Sequence, residues 1–136
     1  MKRCSMAIAL LFGLAWVVSG CAAAAAPVTA PSFPAFVSTT PDSLKAYQLA
    51  VQLGDLLYSI PCYCGCVEQN HQSLHDCFFK PNGTYEEHAS TCAVCQKEVF
   101  ALAQMAAQGK NVKTMRTQID ATFASYGAPT HTAPVE

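Results

Sequence analysis

Charge is scarce in this chain. Only 12% of its 136 residues are Asp, Glu, Lys or Arg, and the formal net charge is -1. Without a basic surplus there is no electrostatic footprint for a phosphate backbone, which argues against a nucleic-acid partner. Also missing are a Ser-His-Asp arrangement, a phosphate-cradling glycine loop and a paired-carboxylate pattern. A hydrolase or transferase therefore has no support, and the chain is expected not to be an enzyme. No internal repeat and no convincing strand pattern occurs. The length leaves room for one modest domain.

A long apolar run occurs once, from Met6 to Val18, interrupted only by Gly13. It follows the basic pair Lys2 and Arg3 and precedes Ser19-Gly20-Cys21. A charged start, an apolar middle and small residues before a cysteine describe a lipoprotein export signal. The run is short against the ~20 residues of a spanning helix. Residues 1–20 are thus expected to be removed, with Cys21 lipidated at the new N-terminus. Lys2 and Arg3 leave with the signal, so six basic residues remain against nine acidic ones, a net -3. The lipid on Cys21, not basic attraction to headgroups, would then hold the protein to a bilayer. The expected location is extracytoplasmic, on a bacterial cell membrane or outer membrane.

Residues 21–41 read as the lipidated N-terminus and a tether, rich in Ala with Pro at 27, 31, 34 and 41. Phe33 and Phe36 in this stretch are candidates to dock on the domain. A helix is expected after Pro41, capped by Asp42 or Ser43, with Leu49, Leu53, Leu56 and Ile60 as its apolar stripe. Pro61 should stop it. Residues 67–79 suggest a short helix with Leu74 and Phe78 inward, and Lys80-Pro81-Asn82-Gly83 signals a turn. Thr91 can cap a helix running to about Gln108, with Cys92, Cys95, Val99, Leu102 and Ala106 on one stripe. Gly109 suits its C-terminal end. Asn111 can cap a last helix bearing Val112, Met115, Ile119, Phe123 and Tyr126, ended by Gly127. The tail, residues 128–136, is polar and expected to be disordered. The fold class is mainly α: a small bundle of three or four short helices over residues 42–127, with a Cys-rich loop.

What the chain does have is cysteine, eight in all. Cys4 falls in the signal and Cys21 at the cut. Cys62, Cys64, Cys66, Cys77, Cys92 and Cys95 remain, with His71, His75 and His88 among them. Disulfides would persist in an extracytoplasmic compartment. However, alternate residues of extended chain lie about 6.6 Å apart, close to the ~6.8 Å upper limit for bridged Cα atoms. Pairing within 62-64-66 would be strained, so all three would need partners among Cys77, Cys92 and Cys95. A thiol redox enzyme is a further possibility, since Cys92-Ala-Val-Cys95 has the spacing, but no βαβ pattern surrounds it.

Metal binding explains the crowding better. Side chains alternate along extended chain, so Cys62, Cys64 and Cys66 can converge, and Gly65 permits a bend. Cys92 and Cys95 span one helical turn at a helix N-terminus, which favours thiolates. Soft thiolate sites select Cu(I) and Zn(II). Zinc is satisfied by four ligands; a larger thiolate cluster suits several Cu(I) ions, because sulfur can bridge. One structural zinc with two spare cysteines is the alternative. His71 and His75 have helical ligand spacing, and His88 lies four residues before Cys92. Asp76 suits a supporting role rather than direct ligation of a soft metal.

These residues resemble the bacterial PCYCGC-motif lipoprotein family. Pro61-Cys62-Tyr63-Cys64-Gly65-Cys66 is the naming motif. His71, then Asp76-Cys77-Phe78, then His88 and Cys92/Cys95, continue the pattern. Gly109 to Arg116, followed by Ile119-Asp120, complete it over residues 42–127. The chain departs at Asn70, where glycine is expected, and His75 is not a family position. The resemblance implies a lipoprotein with a six-cysteine set, favours His71 and His88 over His75, and implies no reaction. The expected function is soft-metal binding, Cu(I) sequestration or transfer, with Cys62, Cys64, Cys66, Cys77, Cys92, Cys95, His71 and His88 as ligands. The partners would be the bilayer and a metal donor or acceptor protein. A disulfide-stapled adaptor, or one built on a single zinc, is the alternative.

Overall fold

The computed structural model describes residues 31–136. The expected signal, the expected lipidation position Cys21 and most of the expected tether lie outside the described residues. The compact unit begins at Pro31, eleven residues before the boundary expected at 42. The reason is apolar: Ala35–Ser38 form a 3₁₀ turn with Val37 fully buried. Phe33 meets Tyr85 at 5.1 Å between ring centroids, and Phe36 meets Tyr47 at 6.2 Å.

Four α-helices follow: α1 (Pro41–Leu53), α2 (His88–Thr91), α3 (Ala93–Ala107) and α4 (Val112–Phe123). No strand forms among the described residues; Phe79 and Tyr85 make an isolated bridge across the 80–84 turn. Pro41 takes the first helical turn of α1, where its missing N–H costs nothing. The cap is Thr40, whose hydroxyl accepts from Ser43 N at 3.0 Å, not Asp42 or Ser43. α1 ends at Gly54, at φ 50°, and a 3₁₀ run Gly54–Ser59 carries the chain to Pro61. Its buried stripe is Ser43, Ala46, Tyr47 and Ala50; Leu49, Leu53 and Leu56 are half-buried at its margin. Small residues let α1 lie close along α3, and Tyr47 fills the gap, edge-on to Phe78 at 5.0 Å. The Tyr47 hydroxyl donates to the Glu86 carbonyl.

α3 buries Cys95, Val99 and Leu102 on the expected stripe. Thr91 closes the single turn α2; the chain straightens at Cys92, which caps α3 without a side-chain bond. Gly109 takes φ 69° just past α3. Asn111 caps α4 by accepting from Thr114 N at 2.9 Å, and Met115, Ile119 and Phe123 face inward while Tyr126 stays exposed. Residues 66–79 form two short 3₁₀ turns, Cys66–Gln69 and His75–Cys77, rather than one helix, with Leu74 and Phe78 buried as expected.

The tail departs from its expected disorder. Thr130 is buried; its N–H donates to the Cys62 carbonyl and its hydroxyl accepts from Cys62 N, both at 3.0 Å. Thr132 donates to the Gln72 carbonyl at 2.7 Å. Arg116, on α4, donates to the carbonyls of Ser59, Thr132 and Ala133. Polar composition does not prevent order when the polar groups satisfy buried backbone. No helix among the described residues is long and apolar enough to cross a membrane.

Candidate metal centre

The motif runs across the foot of α3. Ile60 and Pro61 bring it out of the 3₁₀ run, and the tail pins Cys62 from one side. From the other side, Tyr63 N donates to Glu98 Oε1 at 2.9 Å, and the Tyr63 hydroxyl donates to Asp120 Oδ1 at 2.8 Å. Tyr63 thus ties the segment to α3 and α4 at once. Gly65 takes φ 82° and turns the chain so that Cys66 points back toward Cys62 and Cys64. A β-carbon is disfavoured there by roughly 1–2 kcal/mol. Asn70 at φ 61° makes a second left-handed turn and brings His71 in. The position where a glycine was expected is thus one whose backbone favours glycine.

The result is a continuous set of donors. The sulfurs of Cys62, Cys64, Cys66 and Cys77 all lie within 4.8 Å of one another. The same limit holds for Cys64, His88, Cys92 and Cys95, and for Cys66, His71, Cys77 and His88. All six cysteines among the described residues are free thiols. The closest contacts are Cys62 to Cys95 and Cys66 to Cys77, each 3.6 Å between sulfurs, Cys77 Sγ to His71 Nδ1 at 3.5 Å and Cys64 Sγ to His88 Nε2 at 3.3 Å. Sulfurs about 3.6–3.8 Å apart are the edges of a tetrahedron with ~2.3 Å metal–sulfur bonds. These Cys/His groups can hold a metal ion. Eight donors, six sulfurs and two imidazoles, exceed what one four-coordinate ion uses.

The expected residues fall together, and the doubtful ones fall outside. His75 stacks on Tyr58 at 3.7 Å and lies against Phe79. Asp76 accepts from Gln72 N at 2.8 Å and approaches His75, so it shapes the loop. His131 belongs to none of the donor groups.

Crowding divides the charge among the thiols. Cys64 is held well below the usual thiol range, chiefly by the Cys62 thiol beside it, and Cys66 is lowered by the same neighbour. Cys62 is pushed up by its sharing with Cys64, and Cys77 by its sharing with Cys62. His88 is raised to about 10 by Cys64 and then Cys92. The two shifts favour a thiolate on Cys64 and an imidazolium on His88, 3.3 Å apart. His71 is lowered by burial and by His88.

Burial is graded across the cluster. Cys62, Cys66, Cys77 and Cys95 are buried, whereas Cys64, Cys92 and His88 are half-buried. His71 lines a cavity of about 360 Å³ that also touches Asp76 and Glu86.

Three contributors escaped the sequence reading. Glu98 is fully buried, and that burial chiefly raises its carboxyl to about 8. Its Oε2 has no partner. The signal available was a carboxylate three residues after Cys95, on the stripe that also carries Val99 and Leu102. Thr130 gave no signal. Gly127 did so only as a helix end: α4 stops at Phe123, and a β-carbon at Gly127 would meet the Tyr63 carbonyl at 2.8 Å.

No curated protein matches the chain, and no solved structure does. Residues 14–135 match a family model described as "Protein of unknown function with PCYCGC motif", and the chain belongs to that family.

Proposed function

We propose that this protein is a lipid-anchored, extracytoplasmic binder of Cu(I), serving sequestration or hand-over rather than catalysis. The observation that carries the metal reading is the overlap of three four-donor groups into one body of six sulfurs and two imidazoles. Soft thiolates favour Cu(I), and shared sulfurs allow more than one ion. The export reading rests on Lys2-Arg3, the apolar run and Ser19-Gly20-Cys21. Hand-over is supported by the half-buried Cys64, Cys92 and His88, which a thiol-bearing donor or acceptor protein can reach.

The test is anaerobic titration of the reduced protein with Cu(I) against a competing chelator, beside a parallel titration with Zn(II). The expected result is more than one tightly held Cu(I) per chain, and a lower stoichiometry for Cys64→Ser. Failure to take Cu(I) from the chelator, or a single zinc that Cu(I) does not displace, refutes the reading.

A second reading, the disulfide-stapled adaptor, draws support from the 3.6 Å sulfur contacts, Cys62 with Cys95 and Cys66 with Cys77. Cys64 and Cys92 lie within 4.8 Å and complete a possible third pair. That reading predicts three bridges by peptide mapping of native material and no metal on elemental analysis.

A further inference from the structure

The donor set divides in an unexpected way. Cys66, Cys77 and His71 share one group, with Cys77 at 3.6 Å from Cys66 and 3.5 Å from His71. Cys64, Cys92 and His88 share another, with Cys64 at 3.3 Å from His88. Each set holds two thiols and one imidazole, a donor set that suits a soft monovalent ion. Two cysteines are left over, Cys62 and Cys95, and these two touch each other at 3.6 Å.

The leftover pair sits between the two sets. The Cys62 sulfur lies within 4.8 Å of those of Cys66 and Cys77, and the Cys95 sulfur within 4.8 Å of those of Cys64 and Cys92. Both residues are fully buried. A dithiol in that position is shielded from bulk reagents yet in contact with whatever the flanking sulfurs hold.

We propose that Cys62 and Cys95 are an internal electron source that reduces two Cu(II) ions as they are captured, leaving two Cu(I) in the flanking sets; this rests on the copper reading above. Copper outside the cytoplasm arrives as Cu(II) under oxidising conditions, whereas the soft sets hold Cu(I). The step balances. Cys62 and Cys95 lose two thiol protons to solvent and two electrons in all, and one sulfur–sulfur bond forms. Each Cu(II) gains one electron and becomes Cu(I). Closing the pair to a bond of about 2.05 Å requires an approach of about 1.5 Å. The step is stoichiometric: one load of two ions per reduced protein, repeated only after a dithiol reductant reopens the bridge.

The choice of pair follows from what each leaves behind. Oxidising Cys66 and Cys77 would strip His71 of both thiol partners. Oxidising Cys64 and Cys92 would take from His88 the thiol it touches at 3.3 Å and its other half-buried partner, leaving it only sulfurs that are buried. Oxidising Cys62 and Cys95 leaves both imidazole-bearing sets whole.

The experiment adds two equivalents of a Cu(II) salt to fully reduced protein without oxygen. The Cu(II) electron paramagnetic resonance signal should vanish. Alkylation after denaturation and copper chelation should count four thiols where six were present, and peptide mapping should link Cys62 to Cys95. The double variant Cys62→Ala with Cys95→Ala, supplied with Cu(I), gives the number of ions its four remaining thiols hold. Supplied with Cu(II), it should retain fewer than that number, because two of its four thiols must serve as reductant. A persistent Cu(II) signal with six thiols, or a bridge mapped to another pair, overturns the proposal, and the wild-type count decides this even if the variant does not fold. Wild-type protein that binds two Cu(I) but reduces no Cu(II) refutes this inference alone; protein that binds no Cu(I) refutes the copper function itself.

Discussion

The helical part of the molecule and the irregular part between α1 and α3 are held together by different means. In α1, α3 and α4 the backbone bonds are made within each helix, and stability comes from buried apolar stripes such as Val99 and Leu102 against Ala46, Tyr47 and Ala50. Residues 60–92 have few repeating backbone bonds. They are ordered by single bonds of long sequence reach: Leu74 N to the Ile60 carbonyl, Thr130 to Cys62, Glu98 to Tyr63 N. Seven of the eight donors lie in this irregular part; Cys95 alone stands on a long helix. A helix offers donors only at fixed intervals along one face. Irregular chain can fold several donors inward from a few residues, at the cost of needing a buttress for each exposed backbone group. The helical part supplies one of those buttresses through Glu98, and the tail another through Thr130.

If this division holds, damage to the two parts should differ in kind. The largest effect on folding should come from the helical part. Leu102→Ala empties a fully buried site in α3 and should lower stability by about 2–5 kcal/mol, read from urea unfolding followed by circular dichroism. The fraction that remains folded should bind Cu(I) with unchanged stoichiometry. A changed stoichiometry would show that the core and the centre are not separable.

A smaller loss of stability, but a larger effect on metal, is expected at the joint between the parts. Glu98→Ala leaves the buried Tyr63 N–H without an acceptor and should cost about 1–3 kcal/mol. Because Tyr63 lies between Cys62 and Cys64, copper should also leave faster in a chelator-transfer assay. Burial raises the Glu98 carboxyl to about 8; Glu98→Gln keeps the acceptor and matches the protonated form, and should restore stability and release rate together. If Glu98→Gln behaves like Glu98→Ala, the unpartnered Oε2 has a role beyond holding Tyr63.

The same contrast explains what the sequence made legible. The α4 cap at Asn111, the stripe of α3 and the stop at Gly109 follow local rules of capping and periodicity, and the structure agrees. The α1 stripe departs from its Leu periodicity: Leu is the stronger apolar signal in sequence, but close packing on α3 selects the small Ala46 and Ala50. The presence of a Cys/His cluster was legible from residue type and spacing alone. Its internal arrangement was not, since Cys62 meets Cys95 across 33 residues and Thr130 reaches back across 68. Such pairings depend on where α3 and the tail lie, which no local pattern encodes. The polar tail reads as disordered because composition does not show its distant partners, the backbone of Cys62 and Gln72 and the side chain of Arg116.

The finest test of the division lies at Asn70, where the irregular part bears a local strain that no helix shares. Asn70 is the one described non-glycine residue with positive φ, at 61°, and it joins the Cys66–Gln69 turn to His71. Asn tolerates this region better than other residues with a β-carbon, but glycine is free of the penalty. Asn70→Gly should therefore be neutral or stabilising by less than ~1 kcal/mol, whereas Asn70→Ala should destabilise by about 1 kcal/mol. The turn sets the position of His71 and, through it, the contact with Cys77. The two variants should thus also separate in copper affinity, with Asn70→Ala the weaker binder and Asn70→Gly close to the parent. Equal stability for the two variants would mean that the loop relaxes freely around this residue. In that case metal, rather than the local backbone, is what gives the irregular part its shape.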